Sequence, residues 1–321
     1  MRRRRFLAVG AVAVTAVAAG CTSGPGGPDD ATPTGRGSGD GRTPSPGDGT
    51  TRPTEPGDGT PSQESPFTGR GAAVVRFFGS RLDARRAGSF GLSRAELRSG
   101  TGPERRLGPV LRVRYPARSA SPTVARTYDR PEGGTQLYLP LATGPVDRLH
   151  LRYYVRFPEG FDFVKGGKLP GLYGGTNTSG GHVPDGSNGL STRYMWRSGG
   201  RGEVYAYLPA SVVHGTSLGR GSWSWPVGRW ACVEQGVRLN RPGRADGSVT
   251  VYLDGRQVLR RDRLTFRTTR ELRIEGVFFS TFFGGGDPSW ATPRAQYADF
   301  AAFAVSDHAI GPLPGDAVPE G

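Results

Sequence analysis

Short runs in which apolar and polar residues strictly alternate, broken by glycine-rich turns, limit what this chain can fold into. Between residues 148 and 157, Leu149, Leu151, Tyr153, Val155 and Phe157 fall on one face of an extended chain. His150, Arg152, Tyr154 and Arg156 fall on the other. The runs 189–197 and 203–208 alternate in the same way, joined by Ser198-Gly199-Gly200-Arg201-Gly202. Asp254-Gly255 between the runs 249–253 and 256–259 is a two-residue hairpin signal. Apolar runs at 272–283 and 297–305 supply two further strands. The helical period is scarce, with residues 93–98 as its one candidate for a turn or two, and no internal repeat is present. The pattern predicts an all-β chain, a β-sandwich or β-jelly roll of antiparallel sheets.

Composition divides the chain into three parts. Residues 1–21 carry a basic start (Arg2, Arg3, Arg4, Arg5), an apolar run over 8–19 and then Gly20-Cys21, which reads as an export signal and not a membrane span. Arg3-Arg4-Arg5-Phe6-Leu7 fits a twin-arginine export motif. Ala18-Ala19-Gly20-Cys21 resembles a bacterial lipobox, which makes Cys21 the expected lipidation site and the new N-terminus, with plain secretion as the alternative. The expected location is therefore the cell surface, with a lipid anchor as the sole membrane contact, or the medium. Residues 22–66 are Gly, Pro, Ser, Thr and Asp with almost nothing apolar, so they cannot bury enough surface to offset ordering entropy and form a flexible tether. Residues 67–321 make the folded domain, its body ending near Val305. Cys232 is the one cysteine beyond the lipobox, so no disulfide can form within this domain, and its place in an apolar strand predicts an inert packed thiol.

The chemistry-bearing residues gather at one stretch and one hairpin. Of 42 basic residues, two are lysines, Lys165 and Lys168, and both lie in Val164-Lys165-Gly166-Gly167-Lys168-Leu169-Pro170-Gly171. This glycine pattern is expected to form a loop that approaches something closely. An ammonium can lose its proton where a guanidinium cannot, so a lysine there can take part in proton transfer. In the hairpin, one face of the first strand carries Ser191, Arg193, Met195 and Arg197, and one face of the second carries Glu203, Tyr205 and Tyr207. A register setting Arg193 opposite Tyr205 and Ser191 opposite Tyr207 places all four on one surface, whereas a one-residue slip separates them. Such a group suits β-elimination in a polyuronate. Arginine neutralises the carboxylate beside the acidic carbon, a phenolate or neutral lysine takes the proton, and a neutral tyrosine protonates the leaving oxygen. The bland alternative makes Tyr205 and Tyr207 ordinary sheet aromatics and Arg193 a solvated strand charge.

The formal net charge of +14, with a pI near 10.5, suits an anionic partner, and outside the cell a polyanionic glycan fits better than nucleic acid. At F-D-F-V-K-G-G-K-L-P-G-L-Y-G-G (161–175), S-T-R-Y-M-W-R (191–197), Y-A-Y (205–207) and S-T-F-F-G-G (280–285), the chain resembles the alginate and glucuronan lyases of polysaccharide lyase family 14. The resemblance covers roughly residues 149–305. It implies a β-jelly roll that cleaves polyuronates by elimination, with no required metal or organic cofactor. Carried over, it makes Lys168, Arg193, Tyr205 and Tyr207 the catalytic residues and leaves open whether Lys or Tyr is the base. It assigns Ser191 and Arg193 to contacts with the substrate carboxylate and subsites. Gln136, in Gly133-Gly134-Thr135-Gln136, joins Lys165 and Arg197 as further substrate-binding candidates, with Trp196 expected to pack.

Other classes are poorly served. His150, His182, His214 and His308 show no metal-ligand spacing, though His182 could reach the cleft rim. Glu203 shares the tyrosine face without an obvious second carboxylate, which counts against a glycoside hydrolase. No nucleotide-binding loop or hydrolase elbow is present. The competing readings are a noncatalytic glycan-binding surface lipoprotein and a wall structural protein.

Overall fold

In a computed structural model, residues 77–78 and 85–316 are described; the export signal, Cys21 and the tether lie outside the described residues. In chain order the strands begin with β1 (Arg85–Phe90), β2 (Ala95–Arg98), β3 (Val110–Tyr115), β4 (Thr135–Pro140) and β5 (Arg148–Arg156). Then come β6 (Gly166–Leu169), β7 (Gly171–Gly175), β8 (Gly189–Arg197), β9 (Gly202–Tyr207) and β10 (Thr216–Leu218). The last are β11 (Trp230–Arg238), β12 (Gly247–Leu253), β13 (Arg256–Leu264), β14 (Gly276–Phe283) and β15 (Gln296–Ser306). Two sheets result. The first runs β1-β4-β14-β6-β8-β9-β10 with β7 pairing β14 and β8, and the second runs β13-β12-β11-β5-β15-β3-β2. In this β-jelly roll, β6 lies between β14 and β8, neither of which is next to it in the chain, so it reaches its place by a crossover. No helix among the described residues is long and apolar enough to cross a membrane.

The alternation read from residues 148–157 is the core pattern of β5: Leu149, Leu151, Tyr153, Val155 and Phe157 are all at most 4% exposed. Their partners across the sandwich come from the inner faces of β14 and β8, Phe279, Phe283, Tyr194 and Trp196 among them. Trp196 stands edge-on to Phe283 and Phe157 at centroid distances of 5.2 and 5.6 Å, a favoured aromatic geometry, and its indole donates to the Phe163 carbonyl. The Asp254-Gly255 hairpin forms as expected, with φ of 51° and 82°, the two positive values that a tight primed turn needs. Cys232 is buried and unpaired by any disulfide, and burial pushes its thiol up to about 12, which makes it inert.

Two local expectations are corrected. Residues 93–98 are not helical beyond a single 3-10 turn at Leu92–Arg94; Ala95 then enters β2 and is fully buried against β3. Tertiary pairing with Leu111 and Val113 overrides the weak local helical preference there. The lysine stretch is not a loop either. Its second half is β6, where Lys168 pairs with Met195 on one side and Phe282 on the other. The glycines serve a close approach: a Cβ on Gly167 would lie 2.0 Å from the indole of Trp196.

Gly167→Ala is therefore expected to lower stability by about 1–3 kcal/mol, the usual cost of overpacking a filled core. A thermal melt equal to that of the parent would show that the Trp196 ring is not seated against β6.

Candidate active site

The outer face of the first sheet is set by the β8–β9 register. Ser191 pairs with Tyr207, Arg193 with Tyr205 and Met195 with Glu203, so the side chains fall in rows on one surface. Because Met195 also pairs with Lys168, and Gln136 with Ser280, the same face extends across β6, β14 and β4.

Arg193 lies at the centre and is 2% exposed. No carboxylate among the described residues pairs with it. Its Nη1 donates to Ser280 Oγ at 3.1 Å, and Ser280 in turn donates to Gln136 Oε1 at 3.1 Å. Gln136 is fixed by donating to the Gly88 carbonyl, while Phe278 supports the guanidinium at 4.6 Å from its ring centre. Arg193 Nε has no hydrogen-bond partner among the described residues. Burial draws the guanidinium below its ordinary pKa, and the phenols of Tyr207, Tyr138 and Tyr205 act in the opposite sense. This is a cation desolvated without a counter-charge, a costly state in the absence of an anion.

Lys168 sits beside it, half-buried. Its Nζ is 3.0 Å from Met195 Sδ and 4.1 Å from the centre of the Tyr205 ring. Burial first, then repulsion from Arg193 and Arg197, holds the amine well below the usual lysine value, with Glu203 opposing. Tyr205 is shifted up, mainly by burial and by Tyr207, against Arg193 and Arg197. The two phenol rings meet edge-on at 5.9 Å, and Gly215 packs so closely that a Cβ there would lie 2.8 Å from Tyr205 and 2.9 Å from Tyr207. The Tyr207 hydroxyl accepts from the Gly181 amide at 3.1 Å.

The remaining sequence candidates divide. Arg197 belongs to the face: its Nε and Nη2 both donate to Glu203 Oε1, at 2.9 and 2.5 Å. Glu203 is fully buried and also accepts from Arg220, so it is an organiser of cations and not a free acid. Ser191 keeps its expected register but not a free hydroxyl. It is fully buried and donates to the Thr178 carbonyl at 2.7 Å, which spends its hydroxyl on tethering the 176–188 loop. Lys165 also stands apart, exposed and bonded to Ser289 Oγ on another loop. Gln136 reaches the face through Ser280. His182 and His214 are exposed, His150 bonds Glu234 on the other sheet, and no group of three His, Cys, Asp or Glu among the described residues is placed to hold a metal.

Sequence reasoning missed Ser280 and Tyr138. Tyr138 stacks on Phe278 at 4.3 Å and shares a hydrogen bond with Thr178 Oγ1. The available signal was alternation in Gln136-Leu137-Tyr138, which puts both polar residues on the face opposite to buried Leu137.

The polysaccharide lyase 14 family model matches residues 104–303, which takes in β3 and β4 as well as the stretch after residue 149. A marine PL-14 alginate lyase from Aplysia kurodai superposes with a TM-score of 0.59 at 31% identity, over 68% of this chain and 89% of that one. The alginate lyase vAL-1 from Chlorella virus gives 0.60 at 21% identity, over 74% and 97%, a likeness of fold. No protein of curated function matches. Fold and matches together define a carbohydrate-cleaving β-jelly roll. More narrowly, the chain belongs to polysaccharide lyase family 14 and is a polysaccharide lyase.

The lowered pKa of Lys168 has a consequence for stability. Between its folded value and the unfolded value of about 10.4, the unfolded chain holds the extra proton, so stability rises with pH across that window. Lys168→Met is expected to raise the melting temperature near neutral pH, by about 2–4 °C for each kcal/mol recovered. The gain should shrink as pH approaches 10, and a gain that is absent or independent of pH would mean that Lys168 is not depressed in the fold.

Proposed function

We propose that this protein is an exported polyuronate lyase, of the alginate or glucuronan type, acting by β-elimination. The observation that carries the reading is Arg193: a desolvated guanidinium with no carboxylate partner, beside a depressed lysine and two phenols. A uronate carboxylate is the anion that this arrangement lacks. Bidentate pairing with Arg193 would acidify the adjacent C5–H and stabilise the enediolate that forms on its loss. Ser280, bonded to both Arg193 and Gln136, holds the guanidinium in place.

Lys168 fits the base. Its neutral form is favoured by burial and by two guanidiniums, so it can accept the C5 proton. Tyr205 fits the acid, because its raised pKa keeps the phenol protonated until it can donate to the leaving glycosidic oxygen. The C5–H and C4–O bonds break, a C4=C5 double bond forms, and one proton leaves on Lys168 while another is delivered from Tyr205. Tyr207, held by the Gly181 amide, orients Tyr205 by its edge contact.

The test is incubation of the protein with alginate, glucuronan and related polyuronates while following the ultraviolet absorbance of the unsaturated product. Lys168→Ala is expected to lower kcat by about 10²–10⁴-fold, the range for a general base. The profile of kcat/KM should rise with pH as Lys168 loses its proton, at a pH well below 10.4, and fall only above 10 as Tyr205 ionises. Tyr205→Phe should remove that falling limb along with most of the rate. A chain that yields no unsaturated product from any polyuronate would refute the proposal.

Export and anchoring rest on residues 1–66 alone. The twin-arginine signal, the lipobox and the tether support a domain standing off the outer face of the cytoplasmic membrane through a lipid on Cys21. Cys21→Ser is expected to shift the protein from the membrane fraction to the soluble exported fraction. Equal fractionation of variant and parent would show that Cys21 carries no anchor.

A further inference from the structure

The catalytic face carries a second charged constellation centred on Glu203, which pairs with Met195 two positions along β8 from Arg193. Glu203 is fully buried, and its two oxygens are shared between two arginines. Oε1 accepts from Nε and Nη2 of Arg197, and Oε2 accepts from Arg220 Nε at 2.7 Å. Arg220 Nη2 donates to Ser217 Oγ at 2.8 Å. Ser217 pairs with Tyr205 in the β9–β10 ladder, so both contacts hold Arg220 on the tyrosine side of the sheet.

Two guanidiniums on one carboxylate leave a local charge of +1. On each, Nη1 has no hydrogen-bond partner among the described residues, and the Arg220 side chain is 51% exposed. An exposed ion pair contributes little to stability, whereas burying Glu203 has a cost that the pairing must offset. What the arrangement does achieve is orientation: two planar forks are fixed before any ligand arrives, which lowers the entropy lost on binding an anion. Along β8, Arg193 and Arg197 stand four residues apart, about 13 Å at the backbone. That separation is too great for one carboxylate to be shared between them, but a chain bearing a carboxylate on every sugar presents another further along.

We propose that Arg220 and Arg197, held by Glu203, form a second carboxylate subsite that grips a uronate further along the chain, beyond the immediate neighbour of the one at Arg193. The proposal rests on the polyuronate reading above and identifies Arg220 as a substrate-binding residue. An interaction away from the reacting sugar adds binding to longer chains and nothing to the shortest, so its loss must depend on length.

The test measures binding by calorimetry in the full chain carrying Lys168→Ala, so that no substrate is turned over. Saturated oligouronates from disaccharide upward are titrated with and without Arg220→Ala. The expected result is about tenfold weaker binding of the longer oligomers with the disaccharide unaffected, and partial recovery with Arg220→Lys, consistent with losing one charge-assisted contact. Equal affinity at every length, or an equal loss at the disaccharide, overturns the subsite while leaving the lyase reading intact. Binding of no oligouronate by either form overturns both.

Discussion

The structure depends on a buried cation that the fold does not neutralise. Arg193 is taken out of water and given a hydroxyl, an aromatic face and three nearby phenols, but no carboxylate among the described residues. An uncompensated buried charge of this kind weakens a fold, so its neighbours must over-determine its position. They do so through strand pairing. Ser280 and Gln136 are cross-strand partners, and Arg193 and Tyr205 are cross-strand partners, so the contacts around the guanidinium are set by ladders and not by loops. The sandwich core beneath, with Trp196 and Phe283 on the inner faces of the same strands, keeps those ladders in register. The outer-face strand residues are thus placed by buried neighbours pointing inward, such as Leu169, Tyr194 and Phe279.

That coupling explains what could be read in advance. Period-two alternation in β8 and β9, together with the short Gly-rich connection, was enough to place Arg193 against Tyr205 and Ser191 against Tyr207, because a slip would have exposed Val204, Ala206 and Tyr194. The lysine stretch misled for a physical reason. Glycine marks both turns and close approaches, and one sequence does not show that an indole waits opposite Gly167. Ser191 shares the outer face as expected, yet a loop of its own chain covers it, and loop paths are not encoded in alternation. Tyr138 and Ser280 were hidden because their partners lie 40 and 87 residues away in sequence. The charge of β9 was legible, its role was not: Glu203 reads as a candidate acid until two arginines are seen to enclose it.

The electrostatic design is graded along the face. Near Tyr207 the face is bounded by backbone, with the Gly181 amide on the hydroxyl and Gly215 against both rings. Toward Arg197 and Arg220 it carries excess positive charge. A polyanion would be drawn to the second end, where side chains are partly exposed, and interact more strongly at the first, where Arg193 and Tyr207 are buried. On that reading, attraction and chemistry fall to different residues, and the guanidinium at the centre stays desolvated.

The scarcity of lysine follows from the same division. Wherever a permanent charge is needed this chain uses arginine, which stays protonated even at 2% exposure. Lys168 stands where two guanidiniums and burial act on one amine, so the residue type that can give up its proton is found where the surroundings favour giving it up. Lys165, three residues earlier, is a control built into the same segment. It is exposed and donates to Ser289 Oγ. What separates the two is β6 itself: strand pairing with Met195 and Phe282 carries Lys168 onto the outer face of the first sheet, whereas Lys165 lies one residue before β6 begins.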